Sequence, residues 1–405
     1  MTDALVIGAG PTGLTAAAHV ARLGFEARVV DRDEGPGGVP RHSDHPGYGL
    51  LDLHRLLSGP AYARRLTDRA TNAGARIDVR TTVTGVRPMT GGGAEVDLTS
   101  PAGRETIAAR AVLLATGCRE RPRPARLVPG SRPPGVLTTG WLQRLVHLQH
   151  GSPGRRAVVV GAEHVSFSAV VTLADAGCRT VAMVTEGESH TSFAAFDFAA
   201  RARYRFPLLT RARVAAIHGT AQVTGVTLER SDGRRAHVEC DTVIFTGDWY
   251  PENELAVGAG LLRHARTHAP SVDTRFRTRE PGILAAGNLV HPASTAQACA
   301  RDGERAAEAI AEWLTGAPWP TAWTAIETEP PLLWSSPDIV VPGQPGPLRA
   351  QTAVPLDAPR LEMLQGPNVL WSGRLPWIRP DRPFAIPGEG LARATAGPPI
   401  VLRVR

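Results

Sequence analysis

The stretch Leu5 to Asp31, LVIGAGPTGLTAAAHVARLGFEARVVD, constrains this chain more than any other. An apolar run, a glycine-rich turn, a helical segment and a second apolar run ending in an acid follow one another without interruption. Gly8, Gly10 and Gly13 stand at GxGxxG spacing. The first glycine makes the tight turn, the second lets backbone approach a pyrophosphate, and the third allows close helix–sheet packing. Asp31 lies 23 residues beyond Gly8, about where a carboxylate accepts hydrogen bonds from ribose hydroxyls. A lone GxGxxG is weak evidence, but strand, helix and acid in the correct order make this a dinucleotide site.

The same grammar returns from Arg155 to Glu186, RRAVVVGAEHVSFSAVVTLADAGCRTVAMVTE. Each copy is followed by a meander of strands that closes on an apolar strand and a Thr-Gly pair, Thr116-Gly117 and Thr246-Gly247. Two nucleotide-binding units in tandem make a pseudo-repeat of domain size. A third piece, GILAAGNLVHPASTAQACARDGERAAEAIAEWL, predicts a short strand and a helix starting near Ser294. It finds a partner sheet most simply in the first unit, which makes the second unit an insertion. From Trp319 onward the composition changes, and the last 87 residues hold 16 of the 35 prolines among short alternating segments. That pattern predicts a small β domain, a sandwich with proline-bounded strands. Trp334, Trp371 and Trp377 read as core or inter-domain packing residues. The expectation is therefore an α/β protein with two Rossmann-like dinucleotide-binding domains, the second inserted in the first, plus a C-terminal β domain. The boundaries fall at 1–121, 122–247, 248–318 and 319–405.

Several function classes drop out. The net charge of +7 is spread along the chain, with no basic run interleaved with aromatics, so no nucleic-acid partner is expected. All 45 basic residues are arginine, which excludes a lysine Schiff base and a Walker-type phosphate lysine. Cys118, Cys178, Cys240 and Cys299 lie far apart without a CxxC, arguing against disulfides, zinc, iron–sulfur clusters or any other metal site. The first strand begins too near Met1 for a signal peptide and no apolar run is long enough for a membrane span, so a cytoplasmic protein without membrane contact is expected.

With these pieces the chain, from residue 1 to about 318, resembles the two-dinucleotide-binding flavoproteins related to thioredoxin reductase and the pyridine nucleotide–disulfide oxidoreductases. The resemblance implies FAD, with its ADP half held by Gly8, Gly10, Pro11, Thr12, Gly13, Asp31 and Arg32. It implies further contacts at Gly38, Val39, Arg41, His42 and Val83. The family's ATG segment near the flavin is matched by Ala115-Thr116-Gly117, and its closing Gly-Asp by Gly287-Asn288, where asparagine can still bond a ribityl hydroxyl. Thr295 and Ala296 would open a helix whose positive end faces the flavin. Within the family, GGVPRHSDHPGYGL, GPAYARRL, GAEHVSFSAVVTLADAG and FTGDWYPENELA look more specifically like the FAD subunits of amine and amino-acid dehydrogenases, such as hydrogen cyanide synthase, opine oxidase and hydroxyproline dehydrogenase.

Three departures shape what the resemblance implies. Where disulfide reductases carry two cysteines after the paired glycines, this chain has Pro40, Arg41, His42, Ser43, Asp44 and His45, which excludes a dithiol mechanism. The cysteine cluster that many relatives use for an iron–sulfur centre has no counterpart in the last hundred residues. In the second nucleotide site Glu163 replaces the middle glycine, placing bulk and negative charge where a pyrophosphate would approach. NAD(P) is therefore disfavoured there, and Glu186 would suit NAD over NADP if a cofactor bound. Oxidation of a C–N bond needs hydride transfer to flavin N5 and a route for the amine proton. His42 and His45 are the leading candidates for that route, with Tyr48 and His291 behind them, and Arg41 could clamp a substrate carboxylate. The expected function is FAD-dependent oxidation of an amine, imine or amino-acid-like small molecule. Two alternatives stay open: an NAD(P)H-dependent flavin reductase or monooxygenase-like enzyme, and an FAD-bearing component of a heteromeric dehydrogenase. Either a homo-oligomer or an assembly with a partner subunit is compatible with the sequence.

Overall fold

The computed structural model describes every residue from Met1 to Arg405. Residues Met1–Arg41, Gly47–Cys118 and Pro251–Arg405 form one compact unit, and His42–Pro46 with Arg119–Tyr250 form another.

The first unit begins with β1 (Thr2–Ile7), α1 (Pro11–Arg22) and β2 (Ala27–Val30). The last four residues of β1 and all of β2 are buried, the continuous apolar run expected of parallel strands covered on both faces. Helix α1 starts with Gly10 as N-cap and Pro11 in its first turn, where a missing N–H costs nothing. After a long loop carrying the two-stranded ladder β3 (Pro46–Tyr48) and β4 (Leu57–Ser58) comes α2 (Gly59–Asn72), then β5 (Arg76–Asp78). The antiparallel meander β6 (Thr82–Pro88), β7 (Ala94–Ser100) and β8 (Gly103–Leu114) returns the chain to the sheet centre, where Leu113 of β8 pairs in parallel with Val6. The order is β5-β2-β1-β8-β7-β6.

The second unit is entered at β9 (Cys118–Glu120) and left at β18 (Trp249–Pro251), which pair with each other. Between them lie β10 (Val136–Thr138), α3 (Thr139–His147), β11 (Arg156–Val160), α4 (His164–Asp175), β12 (Arg179–Val184), α5 (Ala194–Tyr204) and β13 (Leu208–Leu209). A second meander follows, β14 (Ala212–Gly219), β15 (Val223–Arg230) and β16 (Arg235–Glu239), before β17 (Thr242–Phe245). The parallel sheet has the order β10-β17-β11-β12-β13. Leu142, Phe167, Leu173 and Met183 pack one face and Val158, Val184, Ile217 and Val226 the other.

Back in the first unit, the chain makes α6 (Glu254–Gly258), β19 (Ile283–Ala285), which pairs in parallel with β8, and α7 (Ala296–Leu314), which lies on α1. The C-terminal residues form β20 (Thr324–Thr328), β21 (Leu332–Ser336), β22 (Ile339–Val340), β23 (Leu348–Thr352), β24 (Arg360–Gln365), β25 (Asn368–Arg374), β26 (Phe384–Ile386) and β27 (Ile400–Val404). Two sheets, β22-β20-β27-β24-β25 and β21-β23-β26, share one core that includes Ile326, Leu348, Leu361, Met363, Ile386 and Leu402. The mixed α/β class thus agrees with the expectation, and the C-terminal strands belong to the first unit. Trp334 is buried, its indole N–H donating to Gln351, and Trp371 packs against the core. Trp377 departs from the expected packing role: it is 55 % exposed, with the Arg379 guanidinium over its ring. It lies between Pro376 and the core residue Ile378, which pairs with Leu356, and its own ring stays on the solvent side. No helix is long and apolar enough to cross a membrane.

Candidate functional site

The turn between β1 and α1 is a cradle built from three glycines with three different duties. A Cβ on Gly8, whose φ is +109°, would stand 2.4 Å from the Ala115 carbonyl oxygen, so the turn and the end of β8 touch through backbone alone. A Cβ on Gly13 would fall 1.9 Å from the Gly8 carbonyl oxygen. Gly10 is the opposite case, because nothing lies within 4 Å of its Cβ position. As N-cap it also brings no side chain to the first N–H groups of α1. A phosphate would fill that space and satisfy those donors, with Pro11 and Thr12 beside it. Asp31 is fixed by backbone, its Oδ2 accepting from the Ala9 N–H at 2.7 Å and its Oδ1 from the Asp33 N–H at 2.8 Å. Each carboxylate oxygen keeps a lone pair for a hydroxyl. Arg32 faces Glu252 at 3.6 Å.

The segments expected at the flavin half follow the carboxyl ends of the paired strands β8 and β19 in the first unit. The Thr116 hydroxyl donates to the Glu252 carbonyl at 2.7 Å, and the Glu252 N–H donates to the Gly117 carbonyl at 2.9 Å. Gly287, with φ +71°, comes so close to Thr12 that a Cβ would stand 2.1 Å from its Oγ1. Asn288 also ties its own loop together. Its Oδ1 accepts from the Ser294 N–H at 2.9 Å and its Nδ2 donates to the Ser294 carbonyl at 3.2 Å, closing the loop that leads into α7. One Oδ1 lone pair and one Nδ2 hydrogen remain for a ligand. Thr295 is the N-cap of α7, its hydroxyl accepting from the Ala298 N–H at 3.3 Å, and Ala296 follows half-buried.

The other expected residues are more scattered. Gly37 donates its N–H to the Ala9 carbonyl, which brings Gly38, whose Cβ position lies 2.9 Å from the Gly10 Cα, against the cradle. Val39 is exposed. Val83 packs half-buried on the first unit's core. Arg41 donates to the Gly35 carbonyl at 2.6 Å, so part of its guanidinium serves its own loop. His42 and His45 belong to the second unit, and His42 is buried. The Pro46 carbonyl lies 2.9 Å from His45 Nδ1, so Nδ1 carries the proton and Nε2, 3.0 Å from the Ser43 oxygen, accepts the hydroxyl proton of Ser43. The Tyr48 ring lies 5.7 Å from that of buried Tyr62, whose hydroxyl donates to Asp52 at 2.5 Å.

The turn after β11 is built differently from its counterpart. Glu163 is the N-cap of α4, and a Cβ at Gly161 or Gly247 would lie 2.7 Å from one or other of its carboxylate oxygens. Nearby Glu120 accepts from the Gly140 N–H at 2.9 Å. Burial pushes its carboxyl up to about 7, and the Glu163 charge adds to the effect.

Three features escaped the sequence. Glu252 clamps Thr116 and Gly117 through its backbone. Gly303, inside α7, approaches α1 so closely that a Cβ would lie 2.3 Å from the Thr12 carbonyl; a glycine within a strong helical pattern is the signal that could have shown it. The third is a buried charged group, in which His291 Nε2 lies 2.6 Å from Asp302 Oδ2 and Arg349 Nη1 reaches 3.1 Å from Asp302 Oδ1. Burial would raise the Asp302 carboxyl, but its interactions with His291 and Arg349 outweigh it and hold it below the usual range. His291 thus meets α7 and the C-terminal strands, and its 1 % exposure keeps it away from any open cleft.

Comparison with known proteins agrees with this architecture. The chain is 27% identical over 317 residues to the A subunit of opine oxidase from Agrobacterium tumefaciens (strain Ach5), covering 71% of this chain and 61% of that protein. It is 29% identical over 362 residues to the alpha subunit of sarcosine oxidase from Rhizobium meliloti (strain 1021), covering 83% of this chain and 34% of that protein. The chain therefore spans about three fifths and one third of the lengths of these relatives. Thioredoxin reductase of Lactococcus lactis superposes with a TM-score of 0.65 at 16% identity, over 78% of this chain and 99% of that one. The sequence pattern described as pyridine nucleotide-disulphide oxidoreductase matches residues 2–310, and the chain belongs to that family of FAD-dependent oxidoreductases.

Proposed function

We propose that this chain holds FAD in its first unit and oxidises a C–N bond of an amine, imine or amino-acid-like substrate. The observation that supports it most is the pairing of a complete glycine cradle with a neighbouring loop, between Asp31 and α2, that holds no cysteine. All four cysteines are free thiols, so electrons have no dithiol to pass to there. The opine oxidase and sarcosine oxidase relatives are named for amine substrates, which supports the C–N class.

Gly10, Pro11, Thr12 and Asp31 would hold the ADP half, and Thr116, Gly117, Gly287 and Asn288 the flavin half. FAD bound there supplies a hydride acceptor. The first turn of α7, with Thr295 and Ala296, offers its positive end to developing negative charge. Asn288, tied to Ser294, fixes how that turn is presented. His42 and His45 are the candidates for accepting the amine proton. On taking a proton at Nε2, His45 would donate to the Ser43 oxygen, the hydroxyl turning from donor to acceptor. Anaerobic titration of the yellow protein with sarcosine, N-alkylated amino acids and simple amines should bleach the flavin band. No bleaching across that panel overturns the substrate class.

Membership of a larger assembly has its own support, because both relatives are named as subunits. Size-exclusion chromatography of the chain alone and with co-expressed genomic neighbours tests it, and full turnover by the isolated chain rejects it. The reductase reading predicts rapid flavin reduction by NADH or NADPH in stopped flow. Its absence at millimolar nucleotide removes that reading.

A further inference from the structure

The second unit holds a cavity of about 680 Å³ at the carboxyl ends of β17, β11 and β12, the place where open parallel sheets take ligands. Its lining contradicts the ligand that such a fold ordinarily takes. A pyridine dinucleotide brings a pyrophosphate to the middle glycine of the turn. Here the Glu163 carboxylate lies between Gly161 and Gly247, one oxygen 2.7 Å from each glycine's Cβ position. The cradle of the first unit has empty space at the corresponding residue, Gly10.

Of the cations around the cavity, Arg126 faces the Asp248, Glu120 and Glu163 charges together, and Arg213 and Arg235 are committed to a different carboxylate. Arg126 donates to the Thr246 and Gly247 carbonyls at 2.9 and 2.7 Å. Arg213 and Arg235 both bind the Glu229 carboxylate, at 2.7 and 3.3 Å. With Glu163, Glu186 and Asp248 also in the wall, four carboxylates face three guanidinium groups, a formal charge of −1. Val184, Val214 and Phe245 add an apolar wall that suits a planar ring. Glu186, just beyond the end of β12, stands where a carboxylate accepts ribose hydroxyls.

We propose that this cavity takes an uncharged nucleoside, and that Glu163 is the residue that excludes a phosphate or pyrophosphate from it. The ligand's hydroxyls donate to Glu186, and the Glu163 carboxylate fills the phosphate position. The inference concerns the second unit alone and stands whether or not an amine is the substrate of the first.

Calorimetric titration of the full, FAD-loaded chain with adenosine, 5′-AMP and NAD⁺ at pH 8 tests it. Wild type should bind adenosine at least a hundredfold more tightly than 5′-AMP or NAD⁺. Glu163→Gln, equal in size but uncharged, should narrow the adenosine-to-AMP preference to less than tenfold. Glu163→Gly should admit NAD⁺ as well. Circular dichroism and FAD content confirm that both variants are folded. Wild-type binding of NAD⁺ as tight as adenosine, no binding of any of the three, or an unchanged preference in folded Glu163→Gly overturns the proposal.

Discussion

Glu120 carries the clearest pH signature at the scale of single residues. Its carboxyl is 6 % exposed, accepts from the Gly140 N–H, and is pushed by burial to about 7 from an ordinary value of 4.5. The folded state therefore holds the proton more tightly than the unfolded state. The stability this confers is fully present below about pH 4.5 and is lost as pH rises through about 7, where the buried carboxylate costs about 3 kcal/mol. Glu120→Gln keeps an acceptor for Gly140 and removes the charge. Thermal unfolding should show the variant about 2 kcal/mol more stable at pH 8 and nearly unchanged at pH 4.5; an equal effect at both pH values refutes this account. Asp31 offers a second test, on ligand retention. Asp31→Ala removes the acceptor for the Ala9 and Asp33 N–H groups, and the purified protein should lose most of its FAD absorbance relative to protein absorbance.

At the scale of elements, α1 and α7 meet where Gly303 passes the Thr12 carbonyl. A methyl group there has no space, so Gly303→Ala should cost about 1–3 kcal/mol in urea denaturation through overpacking. Gly258, at the end of α6, has nothing within 4 Å of its Cβ position, and Gly258→Ala should be neutral within about 0.5 kcal/mol. The same closeness bears on the site, because Thr12 also touches Gly287 and sits in the first turn of α1. Helix α7 is thus positioned by backbone contacts that a larger residue at 303 would push apart.

Across the whole first unit, the C-terminal strands are fastened to the nucleotide-binding part by charge. Arg349 of β23 reaches Asp302 of α7, Asp338 accepts from Ser271 at 2.6 Å, and Gln344 accepts from Arg277 at 2.5 Å. Arg349→Leu leaves the buried Asp302 with His291 alone and should cost about 3–5 kcal/mol. Arg349→Leu with Asp302→Leu removes both charges, and a double-mutant cycle should find it less destabilised than the sum of the single variants. Additivity would show that the pair does not couple.

The sequence alone determined the features that live within a few residues of one another. Gly8, Gly13 and Asp31 declared the first cradle, and Glu163 declared its altered counterpart, because a βαβ turn writes its demands into one contiguous stretch. The fold class followed from repeating that grammar. Trp377 was misread because composition shows that an aromatic lies in a β domain but not which side of a loop it takes. Only the tertiary structure decided the contacts whose partners lie far apart in sequence, such as Thr116 with Glu252, separated by 136 residues, and Asp302 with Arg349, separated by 47. It also decided that Gly247 stands across from Gly161 around the Glu163 carboxylate. Such meetings depend on how sheets and helices close over a core, and no local propensity or spacing encodes them.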